Sequence, residues 1–196
     1  MAEKYPSEWH DPVYRWEHTL RVAQYGQQIA RAESADEEVV IAACLLHDLA
    51  HFDPLEDYKD HGREGARLSR RLLNNLGYSE EQENAICYAI AIHVDGKADF
   101  EHAHTLEADI VSDADNIDRF GAFRILQWCV PGMQDLSTFA ENLRKRVAQL
   151  EVYLANSPLE TATGQQIFTS QLQRQIAFFR ALIDDYDLSH LPGSEI

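Results

Sequence analysis

The most constraining feature of this 196-residue sequence is a helical spacing of apolar residues that runs almost from end to end. Val22, Tyr25 and Ile29 fall on one face of a helix near the N-terminus, and Ile176 and Phe179 repeat the spacing near the C-terminus. Recurrence every three to four residues is typical of amphipathic helices, and no stretch shows convincing alternation of the kind typical of strands. The sequence therefore predicts an all-α fold.

Start and stop signals divide the chain into eight predicted helices. Asp36 is suited to cap the second helix, Gly77 to end the third, and Ser79 with Gln82 to form a capping box before the fourth. The predicted helices cover residues 12–32, 37–51, 62–76, 80–94, 105–118, 120–130, 137–155 and 164–186, with loops at 52–59 and 95–97 and a break at Pro131-Gly132.

Length and composition favour one globular domain. A chain with 45% hydrophobic and 26% charged residues has the composition of an ordinary folded protein. We expect a single domain over residues 1–196, with a core over about 13–130 and two C-terminal helices, about 137–186, packed on it. The side chains of Cys44, Cys87 and Cys129 are expected to be buried and unpaired, and those of Trp9, Trp16 and Trp128 to lie in the core.

The net charge and the hydropathy of the chain restrict the kinds of binding partner to expect. The net charge of −16 disfavours binding to a nucleic-acid polymer but allows a small phosphorylated substrate beside a bound cation. No run of about 18 apolar residues exists, and residues 1–9 lack the pattern of a signal peptide, so we expect a cytoplasmic protein with no membrane partner. No feature of the sequence indicates a particular oligomeric state.

Several titratable residues occupy positions where helical spacing calls for apolar ones. His18 continues the stripe of Val22, His47 follows Cys44, and His93 and Asp115 lie on apolar stripes of two further predicted helices. Any one of these histidines could be a core residue bonded to a backbone carbonyl. Burying a charged carboxylate without a partner costs several kcal/mol, so a shared cation explains the whole set better than separate coincidences do.

The chemical types of these residues restrict which cation could bind. Imidazole nitrogens together with carboxylate oxygens suit borderline to hard divalent ions, namely manganese, iron, cobalt, nickel, zinc or magnesium. Four protein ligands leave coordination positions open for water and a phosphate oxygen. An open shell of this kind is typical of a catalytic site rather than of a structural one.

The segments that carry these residues resemble the motifs of the HD superfamily of metal-dependent phosphohydrolases, in particular its small single-domain bacterial members. The resemblance covers most of the chain and rests on segments Glu17–Val22, Cys44–Leu49, His61–Ala66, Ala89–His93 and Asp113–Asp118. It implies a compact helical bundle and a ligand set consisting of His18, His47, Asp48 and Asp115. Helical spacing also turns Asp113 inward, and the choice of Asp115 follows the Ala-Asp pair of the family.

Further site residues have two interpretations each. In some branches of the family, histidines at the places of His61 and His93 carry a second metal; here we favour one tightly bound metal, with these two residues contacting phosphate or a metal-bound water. His51 could transfer protons or cap a helix end, and Asp48, His51 and His61 are the candidate catalytic residues. Arg21 and Arg63 could bind a substrate phosphate or form surface salt bridges with nearby Glu17 and Glu64. The loop histidines receive no role.

The function that this reasoning favours is metal-dependent hydrolysis of a phosphate ester or anhydride. The small members that the chain resembles act on nucleotides, so a nucleotide is the first substrate to expect. One alternative is a mixed-valent di-iron oxygenase, since a few proteins with the HD fold are enzymes of that kind. A second is a metal-dependent binding module without turnover.

Overall fold

A computed structural model describes residues 12–52, 60–132 and 136–189. The described part of the chain contains eight α-helices, one 3-10 turn and no strand, which confirms the all-α prediction. None of these helices is long and apolar enough to cross a membrane. The elements are α1 (Pro12–Glu33), α2 (Glu37–Leu46), the 3-10 turn (Leu49–Phe52), α3 (His61–Leu76), α4 (Glu80–Ile92), α5 (Leu106–Arg119), α6 (Ala122–Gly132), α7 (Leu136–Ala155) and α8 (Ala162–Leu188).

Local signals set several helix ends as the sequence predicts. The Asp36 side chain accepts hydrogen bonds from the backbone N–H groups of the next turn and caps α2. Gly77 ends α3 in the left-handed region with φ of 84°, a conformation that glycine adopts without steric cost. Ser79 and Gln82 form the complete capping box at the start of α4.

The described residues fall into two compact units. One comprises α1 to α5 as far as Asp118, together with Leu159–Gly164; the other comprises residues from Arg119 to Pro158 and from Gln165 onward. In the first unit α1 packs on α2 and α3 packs on α4, while α2 also contacts α4. Fully buried Val22, Val40, Ile86 and Ile110 belong to this core. The single-domain interpretation of the whole chain stays a prediction.

The second helix ends earlier than predicted. It was expected to continue to His51, but α2 ends at Leu46 and the chain continues as a 3-10 turn from Leu49. The His47 ring explains the difference, because its Nδ1 takes the Cys44 carbonyl that a continuing α-helix would use for a backbone bond. His47 and Asp48 therefore lie at a change of helix geometry.

Four smaller expectations also differ from the structure or lie outside it. The α6 helix includes Pro131 and Gly132 and ends directly after them, so the predicted break falls at the end of the helix rather than before the proline. Trp16 is 54% exposed because it lies two residues, or about 200° of helix, away from buried His18. Cys129 is half-buried, while Cys44 and Cys87 are buried and unpaired as predicted. Trp9 and most of the 52–59 loop lie outside the described residues.

Close contact between α3 and α4 leads to a stability prediction at Gly62. A Cβ atom at this position would lie 2.7 Å from the Ala91 carbonyl oxygen, which belongs to the backbone and cannot rotate away. We expect Gly62→Ala to lower the free energy of unfolding by about 1–3 kcal/mol, measured by urea denaturation. Helix propensity alone favours alanine by about 1 kcal/mol, so a stabilised variant would contradict the contact. The control is Asn75→Ala on the exposed side of α3.

Candidate metal centre

Two helix C-termini present histidines in the same way. His47 caps α2 and His93 caps α4. Each Nδ1 donates to a backbone carbonyl three residues earlier, His47 to Cys44 at 2.8 Å and His93 to Ile90 at 2.7 Å. A carbonyl can only accept, so each Nδ1 carries the proton and each Nε2 carries the lone pair. Both Nε2 atoms are buried without a hydrogen-bond partner.

His18 enters the same region from the middle of α1. Its Nδ1 lies 2.7 Å from Asp118 and its Nε2 lies 3.3 Å from Asp115, both carboxylates of α5. Burial opposes protonation of the ring, but hydrogen bonds to these two carboxylates and the nearby charge of Asp48 outweigh it and raise the pKa of His18 to about 9. A metal ion bound through Nε2 would replace that proton.

Asp48 lies at the centre of the histidines. Its Oδ1 is within 3.4–4.0 Å of the Nε2 atoms of four histidines, at positions 47, 51, 61 and 93. Its Oδ2 faces α1, 2.9 Å from Arg15 Nη1 and 3.7 Å from His18 Nε2. Burial raises the pKa of the carboxyl, but the positive charge that the surrounding imidazoles carry when protonated lowers it below its usual range, so Asp48 loses its proton before they do and is ionised.

The 3-10 turn aligns His51 with Asp48. Residues three apart eclipse one another in this geometry, and His51 Nε2 lies 3.4 Å from Asp48 Oδ1. The His51 ring contacts that of His61, the first residue of α3, with centroids 4.3 Å apart. Burial, together with the charge of Arg15, lowers the pKa of His51 to about 3 despite the opposing charge of Asp48. The ring is therefore neutral at physiological pH.

Asp113 and Asp115, both of which helical spacing turns inward, have different partners in the structure. Asp115 Oδ1 lies 3.3 Å from His18 Nε2 and 3.8 Å from His47 Nε2. Asp113 is equally buried, but its oxygens accept hydrogen bonds from the backbone of Glu160 and from both the backbone and the hydroxyl of Thr161. Asp115 therefore faces the histidines, and Asp113 holds the segment that leads into α8.

These side chains fit a divalent cation. Among the described residues, three groups bring their ligand atoms within 4.8 Å of one another: His18 with His47 and Asp115; His47 with Asp48 and His93; and Asp48 with His51 and His61. The two partnerless Nε2 lone pairs and the ionised Asp48 point to the same small volume. Buried lone pairs without a partner are costly, and a cation would serve both of them while also binding the carboxylate that Arg15 contacts.

The two predicted phosphate-binding arginines are engaged by carboxylates. Arg21 donates from Nε and Nη2 to Asp118 at 2.7 and 3.1 Å. Arg63 pairs with Asp60 and with Asp95, whereas Glu64 pairs with Arg67, so Glu64 was the wrong partner to expect for Arg63. Neither Asp60 nor Asp95 belongs to the three ligand groups.

Sequence reasoning missed Arg15 and Asp118. Arg15 precedes His18 by three residues and Asp118 follows Asp115 by three, so each shares a helix face with a candidate ligand. That spacing was the available signal. The partner of each residue depends on how α1 packs against α5, and the spacing of residues along one helix gives no information about that.

Asp118 leads to a prediction about the orientation of His18. A carboxylate on the second ring nitrogen fixes the tautomer and direction of a metal-binding imidazole. We expect Asp118→Asn to weaken metal affinity by about 10–100-fold, measured by titration calorimetry on protein stripped by a chelator. The control is Asp109→Asn, which makes the same charge change on α5 at the carboxylate that pairs with His104. Equal affinities for the two variants would contradict an orienting role.

Comparison with known families gives a match over the part of the chain that contains this site. Residues 15–119, more than half of the chain, match the HD domain family. A 63-residue stretch is 40% identical to a deoxyguanosinetriphosphate triphosphohydrolase-like protein of Bifidobacterium longum. That stretch is 32% of this chain but 12% of the relative, so the chain spans a small part of that protein.

Solved structures show the same fold. A predicted HD superfamily hydrolase from an uncultured Thermotogales bacterium is 23% identical, with a TM-score of 0.64 over 94% of this chain and 86% of that one. An HD-superfamily hydrolase of Bacillus thuringiensis is 17% identical, with a TM-score of 0.65 over 88% and 86%. Bacillus subtilis YpgQ, solved in complex with ADP, is 22% identical, with a TM-score of 0.62 over 96% and 90%.

Proposed function

Because the chain belongs to the HD domain family, we propose that it is a metal-dependent hydrolase of a phosphate ester or anhydride in a small metabolite. The proposed metal ligands are His18, His47, Asp48 and Asp115. One observation carries the proposal, namely the two buried Nε2 lone pairs of His47 and His93 beside the ionised carboxylate of Asp48. Core histidines that serve packing alone have no need to present lone pairs to a shared volume.

The proposed roles follow from position. A divalent ion held here would lower the pKa of a bound water and polarise a phosphoryl oxygen. Asp48 would help to hold the ion and could accept a hydrogen bond from a water beside it. The neutral ring of His51, with Nε2 3.4 Å from Asp48 Oδ1, is placed to exchange a proton there. His61 lies at the N-terminus of α3, where the helix dipole favours an anionic group, and is placed to serve the leaving group.

A nucleotide is the proposed substrate class. Two comparisons support it: the curated relative is named for triphosphohydrolase activity on a deoxynucleotide, and a structural neighbour was solved with ADP. The acidic chain is suited to a small phosphorylated substrate rather than to a polymer, because its net charge of −16 repels an extended phosphate backbone.

The di-iron oxygenase is the second candidate. Asp48 belongs to two of the three ligand groups, so His47 and His93 would hold one iron ion with it, and His51 and His61 would hold a second. Such an enzyme would be purified with two iron equivalents and would absorb visible light. The phosphohydrolase needs neither property.

The experiment that tests the proposal is a phosphate-release screen. Chelator-stripped protein is supplied in turn with manganese, magnesium, cobalt, nickel, zinc and iron(II), and assayed on nucleotides, sugar phosphates and dinucleotide polyphosphates. We expect release of phosphate or pyrophosphate from at least one nucleotide that depends on added metal. No release with any metal, together with bound iron and visible absorption, would replace the phosphohydrolase with the oxygenase.

A further inference from the structure

Arg15 forms an ion pair with the central carboxylate of the site. Its Nη1 lies 2.9 Å from Asp48 Oδ2, and the two side chains are 13% and 8% exposed. Arg15 lies one helical turn before His18 on α1, and both contact Asp48 Oδ2, whereas the four other histidines lie near Oδ1. The pair is therefore shielded from water and lies directly beside the proposed metal ligands.

This ion pair has a physical consequence for metal binding. A buried carboxylate needs a compensating cation, and the guanidinium of Arg15 supplies one while no metal is bound. A divalent ion coordinated by Asp48 compensates the same charge and repels the guanidinium. Arg15 contacts Oδ2 and the histidines surround Oδ1, so the two cations would share one carboxylate, and their mutual repulsion would weaken the hold of each on it.

Arg15 is paired with a proposed metal ligand, whereas the other two arginines considered for the site are not. Arg21 is paired with Asp118 and Arg63 with Asp60 and Asp95. Those three carboxylates lie outside the ligand groups, whereas the partner of Arg15 belongs to two of them. Metal binding would therefore loosen the ion pair of Arg15 and leave those of Arg21 and Arg63 in place.

We propose that Arg15 is a phosphate-binding residue of this site, paired with Asp48 in the metal-free protein and transferred to the substrate phosphate when a metal ion takes that carboxylate. The planar guanidinium matches two phosphate oxygens at once, so it is suited to the second partner as well as to the first. The inference rests on the proposed phosphohydrolase function and adds the residue that positions the phosphate.

The first measurement is the affinity of chelator-stripped protein for Mn²⁺ alone, by titration calorimetry. We expect Arg15→Ala to bind Mn²⁺ about tenfold more tightly than the wild type, because a competing charge is gone. Arg31→Ala is the control: it removes the same charge from α1, but Arg31 forms an exposed ion pair with Glu37. Unchanged or weaker Mn²⁺ binding by Arg15→Ala would overturn the competition.

The second measurement is the affinity of the Mn²⁺-loaded protein for inorganic phosphate. We expect Arg15→Ala to weaken it about tenfold or more, and Arg31→Ala to leave it unchanged. Arg15→Lys keeps the positive charge but lacks the planar guanidinium, so we expect it to bind Mn²⁺ as the wild type does and to bind phosphate more weakly. This variant keeps the test decisive if Arg15→Ala fails to fold. Wild-type phosphate affinity in the lysine variant would overturn the assignment.

These two measurements also distinguish failure of this inference from failure of the proposed function. If the wild type releases no phosphate from any substrate, the phosphohydrolase proposal fails, while Mn²⁺ and phosphate affinities still decide the role of Arg15. If turnover is found, Arg15→Ala should raise KM more than it lowers kcat, because a phosphate contact acts on binding as well as on the reaction. A fall in kcat alone would overturn the positioning role.

Discussion

Replacing Asp48 with asparagine is expected to remove tight metal binding and, with it, metal-dependent turnover. Asparagine keeps the shape of the side chain but removes the negative charge that lies within 4.0 Å of four histidine Nε2 atoms. Loss of a residue that only orients a ligand costs about 10–100-fold in metal affinity, so loss of a ligand should cost at least about 100-fold. Calorimetry with Mn²⁺ and metal analysis of the purified variant measure the effect.

Asp99→Asn is the matched control for Asp48→Asn. Asp99 is exposed in the loop before α5 and belongs to none of the three ligand groups, so its replacement makes the same change in net charge without touching a proposed ligand. We expect the control to keep its metal and turnover. We expect the Asp48 variant to remain folded because an asparagine oxygen can still accept the hydrogen bond that Arg15 donates. Retention of a full metal equivalent by the Asp48→Asn variant would remove Asp48 from the proposed ligand set.

Most of the fold was predictable because its determinants are local. The Asp36 cap, the left-handed Gly77 and the Ser79–Gln82 box act within one helical turn, and each is found as predicted. The end of α2 was not, because it depends on a choice made by one side chain. His47 could have pointed its ring elsewhere; by bonding the Cys44 carbonyl it ends the helix and directs its Nε2 inward.

The candidate site was predictable as a set of residues but not as a set of contacts. Helical spacing places His18 and Asp115 on buried faces, and both are buried. The same spacing also buries Asp113, whose partners come from Glu160 and Thr161, almost 50 residues later in the chain. Burial follows from helical periodicity, whereas the partner of a buried carboxylate depends on which helices meet. For the same reason, spacing could not identify Asp118 as the partner of His18.

The sharpest test of this distinction compares Asp115→Asn with Asp113→Asn. The two aspartates lie two residues apart on α5, both are buried, and the substitutions are chemically identical. We expect Asp115→Asn to weaken Mn²⁺ binding by at least about 100-fold, because its oxygen faces His18 and His47. We expect Asp113→Asn to bind Mn²⁺ as the wild type does.

Asp113→Asn should instead lower the stability of the protein. Asp113 accepts three hydrogen bonds, from Glu160 N at 3.1 Å, Thr161 N at 2.8 Å and Thr161 Oγ1 at 2.7 Å. An asparagine amide would direct an NH₂ group at one of these donors, which should lower the free energy of unfolding of the metal-free protein by about 1–3 kcal/mol. Asp115→Asn should lower it as well, because it leaves the buried, protonated ring of His18 with one carboxylate partner, Asp118, in place of two. Urea denaturation and Mn²⁺ calorimetry on both variants give four values. If Asp113→Asn lost the metal and Asp115→Asn kept it, the ligand would be Asp113, and the α5 face assigned to the metal would be wrong.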